Sequence, residues 1–317
     1  TIARAPELSA IVDVGHRSSA VAVGAAVFNA RVAAASAGIL GPVEWTTDAD
    51  DSPLRAVLRF ANGTDAALAA LYEPTMARET NRRIGTPDPI DEETVAQLLR
   101  AASSEGAALR LLTGAEELRQ IADILAACDR IRFLTPRLHA EMRTEVRWPG
   151  DPNPDTGIDV ASLELDAGGV AALDLLRRPD VMTQLADWDA GSALGADTRT
   201  RILASSAVGV VSITGNSLLD LARGGSAAEA IWVAANSRGL AVQPCTPLFA
   251  HARNVSERHG LSPMFARELD NLAYNFDELV RPVADEVIAI VFRFSRGPAA
   301  SVRSRRRPVV SDPRSSR

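Results

Sequence analysis

Two alanine- and glycine-rich stretches do most to limit what this chain can fold into. The later one, Gly224–Pro247, reads GGSAAEAIWVAANSRGLAVQPCTP. Ser226, with Glu229 three residues on, predicts a capping box that opens a helix at that point. Gly239 stands where a helix stops in the left-handed conformation. The chain then runs through Leu240–Val242 into Pro244-Cys245-Thr246-Pro247. The earlier stretch, Val23–Leu40, reads VGAAVFNARVAAASAGIL. With Gly24 set on Gly225, the two align without a gap: Ala26 on Ala227, Val32 on Val233, Ala33 on Ala234, Ala34 on Ala235, Ser36 on Ser237 and Gly38 on Gly239. Small residues let another backbone approach closely, so each stretch predicts a buried, central helix. Their likeness predicts an internal duplication.

Several chemistries are excluded by residue usage. All 34 basic residues are Arg and none is Lys. A Schiff-base lysine and a Walker A loop are therefore absent. Any phosphate must be held by Arg, hydroxyls or backbone amides. Cys128 and Cys245 lie far apart in no metal-type spacing, which predicts a reducing, cytoplasmic setting without a disulfide framework. His16, His139, His251 and His259 form no ligand pattern, so no metal site is expected. No apolar run of 18 residues is free of charge, so no membrane span is expected. The net charge of −6 conceals a basic tail: Arg296–Arg317 carries seven Arg against the single acid Asp312. No aromatics are interleaved with these arginines, which argues against nucleic-acid readout.

Taken in order, the pattern alternates helices with isolated strands. Ile11–Val14 predicts a short strand, Pro42–Trp45 an extended segment and Arg55–Phe60 a strand. Ala66–Arg83 predicts a helix. Asp91 caps an amphipathic helix with Val95, Leu98, Leu99 and Ala102 on one face, followed by a strand at Ala107–Leu112. Helices are expected at Ala115–Cys128 and Pro136–Trp148. Pro149–Asp155 is a break rich in proline. Short helices at Val170–Arg177, Asp180–Trp188 and Ala196–Ala204 precede a buried strand at Ala207–Ile213. A broken helix spans Arg253–Val280, and EVIAIVFRF (Glu286–Phe294) is the strongest strand. Hairpins are scarce, so the expected class is α+β, a central sheet wrapped by long helices.

Chemistry concentrates at Ala77–Ile84, ARETNRRI. Arg78, Thr80 and Arg82 alternate, offering two guanidinium forks and a hydroxyl for a phosphate monoester. The bland alternative is a solvated Arg-rich helix end.

This segment, followed by DEETVAQLLRAASSEGAALRLL, resembles the opening of the nitroreductase superfamily of flavoproteins, where an Arg-x-Ser/Thr-x-Arg motif precedes a helix and a core strand. Gly225–Pro247 is similar to that family's central helix and following turn. EVIAIVFRF with VRSRRRP is similar to its last strand and closing basic motif. The order and spacing of these motifs carry the resemblance, which covers about Val21–Pro308. The duplicated helix points to single-chain members with two pseudo-symmetric lobes around a mixed sheet. The resemblance is closest to modules downstream of a ThiF/E1-like adenylating domain, and a start at Thr1 fits removal of such a domain. It divides the chain into a first, incomplete lobe (1–76), a second lobe (77–296) with a lid at about 149–205, and a basic arm (297–317).

The resemblance implies FMN bound between the lobes, with NAD(P)H as reductant and nitroaromatics or quinones as substrates. Arg78, Thr80 and Arg82, with Arg303, Arg305 and Arg306, would hold the FMN phosphate. The backbone amide of Thr246 would meet flavin N5. Two departures stand out. The family's flavin-ring segment, Pro-Ser-x-x-Asn-x-Gln-Pro-Trp, is matched neither at Ala102–Gly106 nor at Ala5–Ser9, and Pro247 replaces a usual Gly. Two roles follow: an FMN-dependent oxidoreductase, or a non-catalytic nitroreductase-fold module serving flavin sequestration, dimerisation or partner docking.

Overall fold

The computed structural model describes residues 1–5, 10–47, 52–151, 157–188 and 191–303. In chain order the elements are β1 (Ile2–Ala3), α1 (Arg17–Ser36), β2 (Val43–Thr46), β3 (Arg55–Leu58), α2 (Ala66–Ala69), α3 (Tyr72–Ala77) and α4 (Glu92–Ser104). There follow β4 (Ala108–Leu112), α5 (Ala115–Leu134), α6 (Pro136–Glu145), β5 (Val146–Arg147), β6 (Ile158–Asp159), α7 (Ala167–Leu176), α8 (Pro179–Asp187) and α9 (Ala196–Leu203). The last are β7 (Ala207–Thr214), α10 (Leu218–Ser237), β8 (Ala241–Pro244), α11 (Val255–Leu261), α12 (Ala266–Val280) and β9 (Glu286–Ser295). The class is α+β. Most of the expected proline-rich break, residues 152–155, lies outside the described residues.

The main sheet has the order β4-β7-β9-β8, and all three ladders are antiparallel. The parallel pairing described is the two-residue ladder of β5 with β6. β7 and β9 are apolar throughout their centres because both faces of the sheet are covered. On one face Ala207, Val211, Phe292 and Phe294 pack with Ile231 and Trp232 of α10 and Leu98 of α4. On the other, Val208, Val210 and Val291 pack with Ile121 and Leu125 of α5 and Phe276 of α12.

α1 lies outside α10 and carries the small sheet β1-β3-β2 on its far side, through Val23, Val27 and Ala56. By length and composition α1 matches a membrane span, although the sequence suggested no such helix. Here its apolar residues are spent on packing: Ala20, Val21, Phe28 and Val32 are buried against α10 and α2.

The helix pair α1/α10 meets at glycines. A Cβ on Gly24 would run into the carbonyl of Ala222, and one on Gly225 into the carbonyl of Val21. Gly224 faces the sheet instead, where a Cβ would lie 2.5 Å from the Ala289 side chain. Only residues without a side chain allow both approaches.

The helix starts earlier than its sequence suggests. α10 opens at Leu218 rather than at Ser226, with Ser217 as N-cap and Asp220 completing its capping box. Ser226 lies inside the helix and donates to Glu105 Oε2 at 2.7 Å. Gly224-Gly225 resembles a helix boundary by propensity, yet close packing sets the need for glycine.

Two other expectations change. Ile11–Val14 forms a turn and a 3-10 turn (Val14–His16), because Asp13 accepts hydrogen bonds from Ser18 Oγ (2.9 Å) and Ser19 N (3.0 Å) at the start of α1. The helix expected over Ala66–Arg83 is two short ones ending at Ala77, so Arg78–Arg83 is irregular.

Candidate functional site

The irregular strip Arg78–Arg83 runs past the edge of the main sheet. Asn81 N donates to Val242 O of β8 at 2.9 Å, and Asn81 Nδ2 to Pro298 O at 2.9 Å. Glu79 N donates to the side chain of Asn236 at the end of α10 (3.0 Å). The strip thus begins against α10 and ends toward α9 and β9, where the carbonyls of Arg82 and Arg83 accept from Arg201 and Arg293.

This path separates the partners of the motif residues. Arg78 turns onto α10: its Nε lies 2.7 Å from Glu229 Oε1, and its guanidinium sits 4.3 Å over the ring of Trp232. Glu229 is 4% exposed. Trp232 also donates to Glu79 O (2.9 Å) and meets Phe292 edge-on at 5.2 Å. Arg303 joins the same strip, with Nη2 donating to Ala77 O (3.2 Å) and Nε 3.7 Å from Glu79 Oε2. Thr80 is half-buried. Arg305 and Arg306 lie outside the described residues.

Thr246 sits just beyond β8. Its Oγ1 accepts from Val291 N at 3.1 Å, and Cys245 N donates to Val291 O at 2.8 Å, so the turn continues the sheet edge. Burial pushes the Cys245 thiol up to about 12, as it does that of Cys128.

Arg82 belongs to a different environment. It lines an open cavity of about 580 Å³ bordered by α5, α6, α7, the turn before α9 and α9 itself. The walls are mostly apolar, with Phe133, Met142, Leu163, Leu173 and Leu194. Arg201, Asp197, Asp129 and Gln243 reach the same space. Burial, then the nearby Arg201 charge, hold the Arg82 guanidinium below its usual range. Arg293, 1% exposed, donates to Gln243 Oε1 (2.7 Å) and Arg83 O (2.6 Å), and burial brings its pKa down to about 10. Asp129 is pushed up by burial, partly offset by the hydrogen bond from Thr198 Oγ1.

A phosphate socket needs convergent donors whose charge is not already cancelled. Arg78 faces Glu229 and Arg303 faces Glu79, so the charge of these two members of the donor set is already matched within the chain. The segment Pro6–Ser9, compared above with the family's ring contacts, lies outside the described residues.

From the sequence Glu229 is read only as a capping-box residue, and Arg201, Arg293 and Gln243 carry no expectation. One signal was visible: Arg293 is the single charge inside the apolar core of EVIAIVFRF. Among the described residues no cluster of His, Cys, Asp and Glu could hold a metal ion.

No family model matches this sequence. The chain is 51% identical over 307 residues to the uncharacterized protein MT1398 of Mycobacterium tuberculosis (strain CDC 1551 / Oshkosh). That match covers 97% of this chain and 43% of the relative, so the chain spans less than half the relative's length. Among solved structures, oxidized iodotyrosine deiodinase bound to FMN and 3-iodo-L-tyrosine overlays with a TM-score of 0.42 at 11% identity, over 77% of this chain and 98% of that one. The FMN-dependent nitroreductase NfnB of Mycobacterium smegmatis, in complex with NADPH, overlays with a TM-score of 0.40 at 16% identity, over 72% and 88%.

Proposed function

We propose that this chain is a nitroreductase-type module, two pseudo-symmetric lobes in one chain, that does not turn over flavin and acts as a scaffold or partner-docking part of a longer protein. The Arg78–Glu229 ion pair carries this reading. A buried carboxylate 2.7 Å from the first motif arginine occupies the charge that a phosphate would need. Placing a dianion there sets it against Glu229 as well as Arg78, in a site where charges are poorly screened. A ThiF/E1-like domain upstream, in a cytoplasmic protein, is the partner the motif order suggests.

A second reading, an FMN oxidoreductase using NAD(P)H on nitroaromatics or quinones, draws on the cavity. Gln243 lies directly before Pro244-Cys245-Thr246-Pro247 and lines that cavity with Arg82.

Turnover separates the two. Oxidation of NADH and NADPH is followed with added FMN and with a quinone or nitroaromatic acceptor. The scaffold reading predicts no rate above free FMN. A saturable, enzyme-dependent rate selects the oxidoreductase.

A further inference from the structure

We propose that the cavity between α5, α6, α7 and α9 is a binding site for an apolar small molecule bearing one oxyanionic group, with Arg82 as the residue that meets the anion. The cavity's size suits a ligand of ordinary small-molecule dimensions.

The assignment rests on how charge is distributed at one end of the cavity. Arg82, Arg201 and Arg293 gather where Arg82 and Arg83 present their carbonyls. Arg201 is 4% exposed and is already committed: its Nε lies 2.6 Å from Asp197, and its other nitrogens donate to the carbonyls of Arg82, Leu163 and Glu164. Arg293 spends its donors on Gln243, Ser295 and Arg83 O. Glu164 is taken up by Ser301, accepting from its amide (2.7 Å) and hydroxyl (2.8 Å), with Arg83 Nε at 3.8 Å.

Among the described residues Arg82 has the fewest hydrogen-bond partners of the three guanidiniums. Its hydrogen bond from Nη1 to Ser162 O is a long one, at 3.4 Å. A guanidinium carries five donors, and Arg82, which lines the cavity, uses one of them on Ser162 O among the described residues. Arg201 and Arg293 are buried beside the half-buried Arg82, with Asp197 in contact and Glu164 nearby, and bringing three cations together there is costly. An oxyanion on Arg82 lowers that cost and gains charge-assisted hydrogen bonds. Burial lowers both Arg82 and Arg293, and at Arg82 the Arg201 charge adds to it while Glu164 opposes it. The apolar walls then select the body of the ligand. Arg82 is shared with the motif compared above with FMN-phosphate binding, whereas Arg78 and Arg303 do not line this cavity.

The probe is anilinonaphthalene sulfonate, compared with uncharged N-phenylnaphthylamine, by fluorescence titration of the full chain at neutral pH. The expected result is saturable one-site binding in which the sulfonate is tighter by about tenfold or more, the worth of one charge-assisted contact. Arg82→Gln, shown by circular dichroism to be folded, should abolish this preference and leave the neutral probe unchanged. Equal affinity of the two probes, or a preference that survives Arg82→Gln, overturns the proposal. If that variant does not fold, displacement from the wild-type chain decides. Benzoate or phenyl phosphate should compete where benzyl alcohol does not, and the better of the two identifies the head group. Competition by benzyl alcohol as strong as by both anions overturns the site.

Discussion

Gly24 and Gly225 pack against each other's helices in reciprocal fashion: Gly24 faces the carbonyl of Ala222, and Gly225 faces the carbonyl of Val21. Each glycine thus meets the residue three positions before the other. In the alignment that sets Gly24 on Gly225, Val21 falls on Ala222, so the contact maps onto itself under exchange of the helices. An isologous interface has this property.

Substitution at either glycine tests the crossing. Gly225→Ala and Gly24→Ala each force two backbones apart, and each should lower unfolding free energy by about 3 kcal/mol. Urea denaturation measures it, and the two losses should be similar. A loss below about 1 kcal/mol at either site would mean that the helices yield easily there.

Trp232 anchors α10 to the sheet and to the Arg78–Arg83 strip. It is 9% exposed, stacks edge-on with Phe292, and donates to Glu79 O. Trp232→Ala should cost about 3–5 kcal/mol by denaturation. A cost under about 1 kcal/mol would contradict its central position.

Glu229→Gln should strand the Arg78 charge. The expected loss is about 2–3 kcal/mol, less than for a fully enclosed pair because Arg78 retains some solvent contact. The double variant Arg78→Met with Glu229→Leu should recover most of it, since a matched apolar pair carries no desolvation penalty. If the double variant is as unstable as the single one, the ion pair is not what the site depends on.

Two histidines set a pH dependence. Burial holds both His139 and His251 below the ordinary imidazole value, against the opposing pull of the Leu176 and Ala289 carbonyls. The folded chain therefore binds fewer protons than the unfolded chain once pH falls below about 6.5, and stability present at neutral pH is lost as pH drops from there toward the folded-state values. Melting temperature should fall across that interval, and His251→Gln should flatten the fall. A wild-type melting temperature that is constant between neutral pH and about 5 would count against it.

Much of the architecture was legible because it follows from pattern. The amphipathic α4 with its Asp91 cap, and the apolar β7 and β9, follow from periodicity and punctuation. Local rules failed where tertiary packing overrode them. Gly224-Gly225 reads as a helix boundary, yet α10 passes straight through it because α1 and Ala289 come so close. Arg78–Arg83 reads as helix, yet hydrogen bonds to Val242 and Asn236 hold it irregular. The motif arginines were found by spacing, but their electrostatic state was not. Glu229, Arg201 and Arg293 are distant in sequence and meet the strip only through the fold.

If Glu229 already fills the charge requirement of Arg78, the chain has no socket for a flavin phosphate at that point. Equilibrium dialysis of the chain against FMN, read by flavin absorbance, tests this most directly. No flavin should be retained by the wild-type chain at micromolar FMN. Stoichiometric retention of FMN, lost on substituting Arg78 by Gln, would contradict the ion-pair reading and place the phosphate on Arg78 in spite of Glu229.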